Sequence, residues 1–574
     1  MPEGLGRKEP PLPYSSMLRS RITPLLITGL IFAIPLLVVE SAYGSCSSPA
    51  NPIEAENCLP GSPPDAWQIF GSGDATIQGF ATDISVNVGQ TIYFKVNTDA
   101  TNYVLEIYRI GYYGGMGARQ ITVIHPSAQL PQAQPACVSD NATFLYDCGN
   151  WSVSASWQVP ATTTPGLYLV HLVRQDTGGD SQIPFIVRND ASHSDIVYQT
   201  SDLTWQAYNP YGGHSLYGDT GFNLPQRAHK VSYNRPFNTR ALEAATYLFN
   251  AEYPMIRWLE ANGYDLTYIS GIDTARYGSL LLNHKVFMSS GHDEYWDSIQ
   301  RANVQAARDA GVNLAFFSGN EMFWKTRWEN SVDGTNTPNR TLVCYKETLG
   351  DAVDPLDPPT CTGTWRDPSV SPPADGGRPE NAVSGTLFMV NGSGPDNTDL
   401  SMKVPAADGK MRFWRNTSVA ALASNQVATL PPGTLGYEWD VDAANSVRPA
   451  GLFHLSTATY TLTVDYLLDY GGLYGPGVAT HNMTMYRAPS GALVFGAGSV
   501  QWAWGLDSNH DGDINPSPDP DMQQATVNLF ADMGVQPATL QPGLQSATSR
   551  RIRYLQFPRL PHQCRGPPLT PALQ

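Results

Sequence analysis

At 574 residues the chain exceeds what one hydrophobic core supports, so two or three domains are expected. Hydrophobic residues make up 41% and charged residues only 15%, with 51 Gly and 46 Pro, a balance that excludes a helical bundle or general disorder and favours strands and loops. A formal charge of -16, with no compensating basic stretch in the middle of the chain, excludes nucleic acid as the main partner.

Residues 1–44 are predicted to be an N-terminal extension and a signal peptide. Met17-Leu-Arg-Ser-Arg precedes the apolar run Pro24 to Val39, and Ala42-Tyr-Gly44 follows as a cleavage site. The polar, Pro-rich segment before Met17 points to translation starting at Met17. The apolar run is short for a bilayer span, so cleavage is expected rather than a retained anchor. The mature protein is then secreted, periplasmic or on the cell surface, with no membrane association. The seven cysteines agree with export: Cys46 and Cys58, Cys137 and Cys148, and Cys344 and Cys361 form close pairs, leaving Cys564 alone.

Over residues 60–190 apolar and polar residues alternate in short runs such as Thr91-Ile-Tyr-Phe-Lys-Val and Gly166-Leu-Tyr-Leu-Val-His-Leu-Val, punctuated by turn formers. This predicts an all-β immunoglobulin-like sandwich ending with Ile183-Pro-Phe-Ile-Val-Arg. Over residues 196–540 strand and helix patterns alternate, which predicts an α/β domain with a parallel sheet. A helix is expected over Ala241 to Asn262, kinked or restarted at Pro254 and closed by Gly263, followed by strands at Tyr264 to Ile269, Lys285 to Ser290 and Val312 to Phe317. Late strands are expected at Thr386 to Val390, Ala450 to His454 and Gly491 to Gly496, and a last helix at Asp521 to Met533. The basic, Pro-rich residues 549–574 read as a disordered tail.

Two segments stand where ligands bind in such sheets, just past the carboxyl ends of strands. They are Gly291-His292-Asp293-Glu294 and Ser318-Gly319-Asn320-Glu321. The structural alternative is that both are helix N-cap turns. Such a turn needs no His292. Upstream, Leu203 to Gly213 and Lys230 to Phe237 are dense in aromatic residues, a composition equally suited to packing or to a sugar-binding face.

Taken together, Thr204-Trp-Gln-Ala-Tyr-Asn, Val231-Ser-Tyr-Asn-Arg-Pro-Phe, Ser290-Gly-His-Asp-Glu-Tyr-Trp, Phe317-Ser-Gly-Asn-Glu and Gln501-Trp-Ala-Trp-Gly-Leu resemble the C-terminal region of the N,N-dimethylformamidase large (beta) subunit. The resemblance implies a glutamine-amidotransferase-like parallel sheet core without that family's cysteine. It also implies a mononuclear ferric iron (Fe3+) held by two tyrosines and one glutamate. Carried over by motif, the ligands are Glu294, Tyr233 and Tyr208, with Tyr211 and Tyr217 standing near the last. His292, Asn320, Lys346 and Glu438 match the remaining polar residues of the pocket. The implied activity is hydrolysis of the C–N bond of a small amide, with a small partner subunit or a homo-oligomer as the assembly.

Phenolate and carboxylate are hard oxygen donors suited to ferric iron, and three protein ligands leave positions open for water and substrate. Asp507-Ser-Asn509-His-Asp511-Gly512-Asp513 has the alternating oxygens of a calcium loop, which makes Asp507, Asn509 and Asp511 candidate Ca2+ ligands, although Pro518 stands where a bidentate Glu is expected. The rival reading, from another functional class, is a non-catalytic extracellular protein that holds a carbohydrate or polymer.

Overall fold

The computed structural model describes residues 46–219, 226–350, 352–369, 377–392, 400–512 and 514–548. The expected signal segment, the tail from Ser549 and Cys564 lie outside them. The N-terminal part builds two sheets from the alternating runs. Ile77–Ala81, Thr91–Thr98 and Ala155–Gln158 form an antiparallel sheet; the other holds Ser85–Asn87, Asp180–Arg188, Gly166–Arg174, Tyr103–Ile110 and Ala118–Ile124 in that spatial order. Strand residues point alternately to opposite faces, so Ile92, Phe94 and Val96 face inward together. They meet Leu105, Ile107, Val170 and Phe185 of the second sheet in one apolar core, where the Phe94 and Phe185 rings lie 5.8 Å apart.

The larger part centres on a seven-stranded sheet in the order Leu266–Ser270, Ile196–Thr200, Val286–His292, Asn313–Gly319, Leu493–Gly496, Thr484–Arg487 and Phe453–His454. The first five run parallel to their neighbours, and the last two are antiparallel. Val286–His292 is buried along its whole length, as a strand covered on both faces must be. Its residues divide between two cores. Phe287 joins Leu314 and Phe316 against Val304 and Ala307 of the helix Ser298–Asp309; Met288 joins Phe317 against Met255, Ile256 and Leu259 of the helix Glu252–Ala261 and Leu529 and Phe530 of the helix Pro520–Asp532. The expected long helix from Ala241 begins only at Glu252, with Pro254 in its first turn, where a missing N–H costs nothing.

One element was not anticipated. Leu387–Asn391, Glu438–Val441, Tyr474–His481 and Ala458–Leu467 close into a small barrel inserted between the parallel strands and the late ones. Asp440 ties it to the sheet, accepting from the Asn320 backbone N–H at 2.9 Å and the Thr386 hydroxyl at 2.7 Å.

All described residues fall in one compact unit. Arg109 of the sandwich strand Tyr103–Ile110 and Glu260 of the helix Glu252–Ala261 pair at 2.7 and 2.9 Å with both side chains 0% exposed, and Asn57 and Tyr268 add hydrogen bonds to the same carboxylate. Disulfides join Cys46 to Cys58 and Cys137 to Cys148. The third expected pair is not bridged: Cys344 is buried with its thiol turned to the Thr362 carbonyl at 3.3 Å, and Cys361 is also free. In the candidate calcium loop the Asp507 and Asp511 carboxylates bond arginines. Asp511 grips Arg240 through two bonds of 2.7 and 2.8 Å, and Asp507 binds Arg257 at 3.1 Å and turns its other oxygen to Asn509. Among the described residues no helix is long and apolar enough to cross a membrane.

Candidate functional site

Both sequence-selected turns lie side by side at the carboxyl end of the sheet, since Val286–His292 pairs with Asn313–Gly319 through Gly291 and His292. Neither is a helix cap. After His292 the chain stays extended through Tyr295–Asp297, and the next helix starts at Ser298 with Asp297 as its cap. After Gly319 the backbone turns through left-handed residues, Asn320 at φ 49° and Met322 at φ 56°, into the strand Trp324–Glu329. Asparagine tolerates that region better than most residues. Gly319 is required by close approach: a Cβ there would stand 2.8 Å from the Val500 backbone nitrogen.

Glu294 is pinned by its own backbone, its N–H donating to Thr204 Oγ1 and its carbonyl accepting from Trp324, each at 3.0 Å. Tyr208, just past the helix Asp202–Ala207, donates its hydroxyl to Glu294 Oε2 at 3.2 Å, and Tyr217 donates to Oε1 at 2.6 Å. The two rings stack 4.1 Å apart. Burial, then the Glu294 charge, holds both phenols well above their usual pKa, and burial raises the Glu294 acid as well. Tyr233, the other tyrosine expected here, is elsewhere. Its hydroxyl donates to Asp202 at 2.9 Å and its ring packs on Trp328, because the strand Lys230–Ser232 pairs with Thr341–Val343 and carries the next residue away from Glu294. Tyr217 occupies the place that the sequence reading gave to Tyr233.

Beside this trio His292 Nε2 lies 2.8 Å from Glu438 Oε2 and 3.4 Å from Glu294 Oε2. Its Nδ1 is 3.1 Å from the Tyr437 hydroxyl, which is 3.0 Å from the Ala245 carbonyl. A carbonyl only accepts, so the single Tyr437 proton goes to Ala245 and Nδ1–H donates to Tyr437. With Nε2–H donating to Glu438, both ring nitrogens carry protons. The imidazolium follows from this geometry. Its pKa agrees: burial alone would lower it, but Glu438 and Glu294 together push it up to about 9. Asn320 donates to Glu438 at 2.9 Å while its own buried amide oxygen has no partner. Lys346, at φ 52°, sets its ammonium 3.3 Å from the centre of the Tyr217 ring, and burial pulls its pKa down to about 7. His292, Asn320, Glu438 and Lys346 therefore gather around Glu294. The barrel is what delivers Glu438, the first residue of one of its strands.

Among the described residues no cluster of three or more His, Cys, Asp or Glu side chains is set to hold a metal ion. The set around Glu294 is of another kind, two phenols and one carboxylate. Their oxygens meet within hydrogen-bonding distance in a buried pocket, and such hard donors fit a trivalent cation that replaces the two phenolic protons. Tyr208, Tyr217, Tyr437 and Glu438 also line a cavity of ≈ 1050 Å³ that gives access to them. No curated protein matches the chain. Residues 104–514 do match a protein family, over a span that reaches back from the aromatic and strand-end motifs into the sandwich. A match over well more than half of its length means that the chain belongs to the family described as N,N-dimethylformamidase beta subunit-like, C-terminal.

Proposed function

We propose that the protein is an exported, iron-dependent amide hydrolase, with the metal held by Tyr208, Tyr217 and Glu294. The observation that carries this reading is the convergence of two phenol oxygens and one carboxylate, with an imidazolium and a second carboxylate alongside, at the inner end of a cavity. Bound iron supplies Lewis acidity, towards an amide carbonyl and towards water. The chain's own residues do the rest. His292 holds a proton at Nε2 between Glu438 and Glu294 and delivers it to the departing nitrogen as the C–N bond breaks. The oxygen of water joins the acyl carbon, and its proton balances the one that His292 gives up, with Glu438 as the acceptor. Asn320 fixes Glu438, and its unpaired amide oxygen offers an acceptor to the substrate N–H. Lys346 over the Tyr217 ring favours the ionised phenol.

The test is iron stoichiometry together with amine release from small formamides and acetamides. About one tightly held iron per chain is expected. Glu294→Ala loses both the iron and the activity. An iron-free, inactive protein that this substitution does not change overturns the reading. N-terminal sequencing of secreted material tests export, for which a start after Gly44 is expected and an intact Met17 would be contrary.

A further inference from the structure

The cavity lined by Tyr208, Tyr217 and Glu438 is far larger than a dimethylated formamide requires. At ≈ 1050 Å³ it lies at the upper end of the range that holds drug-sized ligands. Its ionisable walls can be accounted for one by one. Glu438 is paired with His292, and Arg240 is neutralised by Asp511 and stacked on Phe249. His510 is kept neutral by burial, burial holds the Tyr437 phenol well above its ordinary pKa, and Tyr208 and Tyr217 belong to the Glu294 set. Glu243 is left. Its carboxylate has no hydrogen bond or ion pair among the described residues, although it is partly buried and faces the same space. Burial and then the Glu438 charge push its acid up to about 7, with the His292 imidazolium only partly offsetting them. A second observation is independent of charge. Gln501 is only 5% exposed, lines the cavity, and has no partner for its side-chain amide among the described residues. Its amide is open to the cavity, where it can donate to or accept from a ligand. Phe70, 78% exposed, and Trp504 add aromatic walls on which an alkyl chain or a cation packs.

We propose that Glu243 and Gln501 form an outer subsite for a cationic nitrogen, so that the substrate is an elongated amide carrying an ammonium or guanidinium several bonds from the scissile carbonyl. The proposal rests on the hydrolase reading of the Glu294 site for the word substrate, and on the cavity walls alone for the preference. Two pairs of probes test it, each a cation beside its uncharged isostere: N-acetyl-1,4-diaminobutane with N-pentylacetamide, and 5-amino-N-methylpentanamide with N-methylhexanamide. Binding is read by calorimetry and turnover by kcat/KM, on the wild type and on Glu243→Gln.

The wild type is expected to favour at least one cationic probe by roughly tenfold in Kd, the size of a partly screened charge pair. Glu243→Gln, checked for an unchanged melting temperature, brings the ratio close to one, as does 0.5 M salt at roughly a 4 Å screening length. Gln501→Ala, which leaves the carboxylate in place, weakens both members of a pair. Equal affinity for charged and neutral probes, no binding of any probe, or a preference that survives Glu243→Gln overturns the subsite. Discrimination in binding without turnover of any probe leaves the subsite standing and removes the hydrolase reading, so the two failures are distinct.

Discussion

Two tyrosines separate the metal reading from a packing account. Tyr217 reaches Glu294, whereas Tyr233 reaches Asp202, a carboxylate that is completely buried and also accepts from the Gly271 N–H and the Thr200 hydroxyl. Tyr217→Phe is expected to drop iron content well below one per chain and to cost about a hundredfold in activity, of the order seen when one positioned catalytic group is lost. Tyr233→Phe should leave iron content unchanged and lower stability by about 1–2 kcal/mol, since Asp202 loses a donor it cannot replace with water. Metal analysis of the two purified variants decides, and iron lost only from the Tyr233 variant would restore the sequence assignment. The Tyr233 hydroxyl lies on Asp202 for a physical reason. In the sequence Tyr208, Tyr211, Tyr217 and Tyr233 all stand among turn formers, and which hydroxyl reaches Glu294 depends on a strand pairing between Lys230–Ser232 and Thr341–Val343 that joins segments more than a hundred residues apart. Glu294, His292 and Asn320 were easier to read, because each directly follows an apolar run whose end the sequence itself marks.

Among the elements, the parallel strands and the sandwich strands were legible from their apolar runs, whereas the barrel was not. Only the strand at Thr386 to Val390 was expected; Ala458–Leu467 and Tyr474–His481 form a hairpin and Glu438–Val441 is short, and closing them with Leu387–Asn391 depends on pairings between segments far apart in the chain. Yet the barrel holds Glu438 beside the site. It also buries His481, whose ring is bonded to the Ala497 carbonyl at 3.0 Å and whose pKa burial lowers to about 4 from an ordinary 6.5. The neutral ring therefore stabilises the fold above pH 6.5, and that stability is lost as pH falls towards 4, amounting to on the order of 3 kcal/mol. Denaturant melts from pH 7 to pH 4 should show this slope, and His481→Gln should flatten it. The Asp507–Asp511 loop is a clamp between elements: Arg240 precedes the helix Glu252–Ala261 and Arg257 lies within it. Asp511→Asn should cost about 1–3 kcal/mol, while millimolar Ca2+ should leave the melting temperature of the wild type unmoved. A calcium-dependent rise would reinstate the metal loop.

Over the whole molecule, thiol chemistry tests the chain's covalent frame. Alkylation of the unfolded, unreduced protein should label Cys344 and Cys361, and should label Cys46, Cys58, Cys137 and Cys148 only after reduction. Peptide mapping reads this directly, and a Cys344–Cys361 cross-linked peptide would revive the third pair. Reduction should also lower stability, since the short loop closed by Cys46 and Cys58 alone restrains the unfolded chain by about 3 kcal/mol.

The fully buried pair of Arg109 and Glu260 has a consequence for how such proteins diversify. Asn57 and Tyr268 also donate to Glu260, but it is the Arg109 charge that answers its own, and stranding one of them costs about 3–5 kcal/mol. A recombination that exchanged the first half of the gene with that of a relative, cut in the polar link after Arg188, would thus reject an incoming sandwich that presents no guanidinium at this point. With the ion pairs of Asp83 to Arg276 and Arg340 and of Arg188 to Asp273, this contact obliges the two halves to be inherited together.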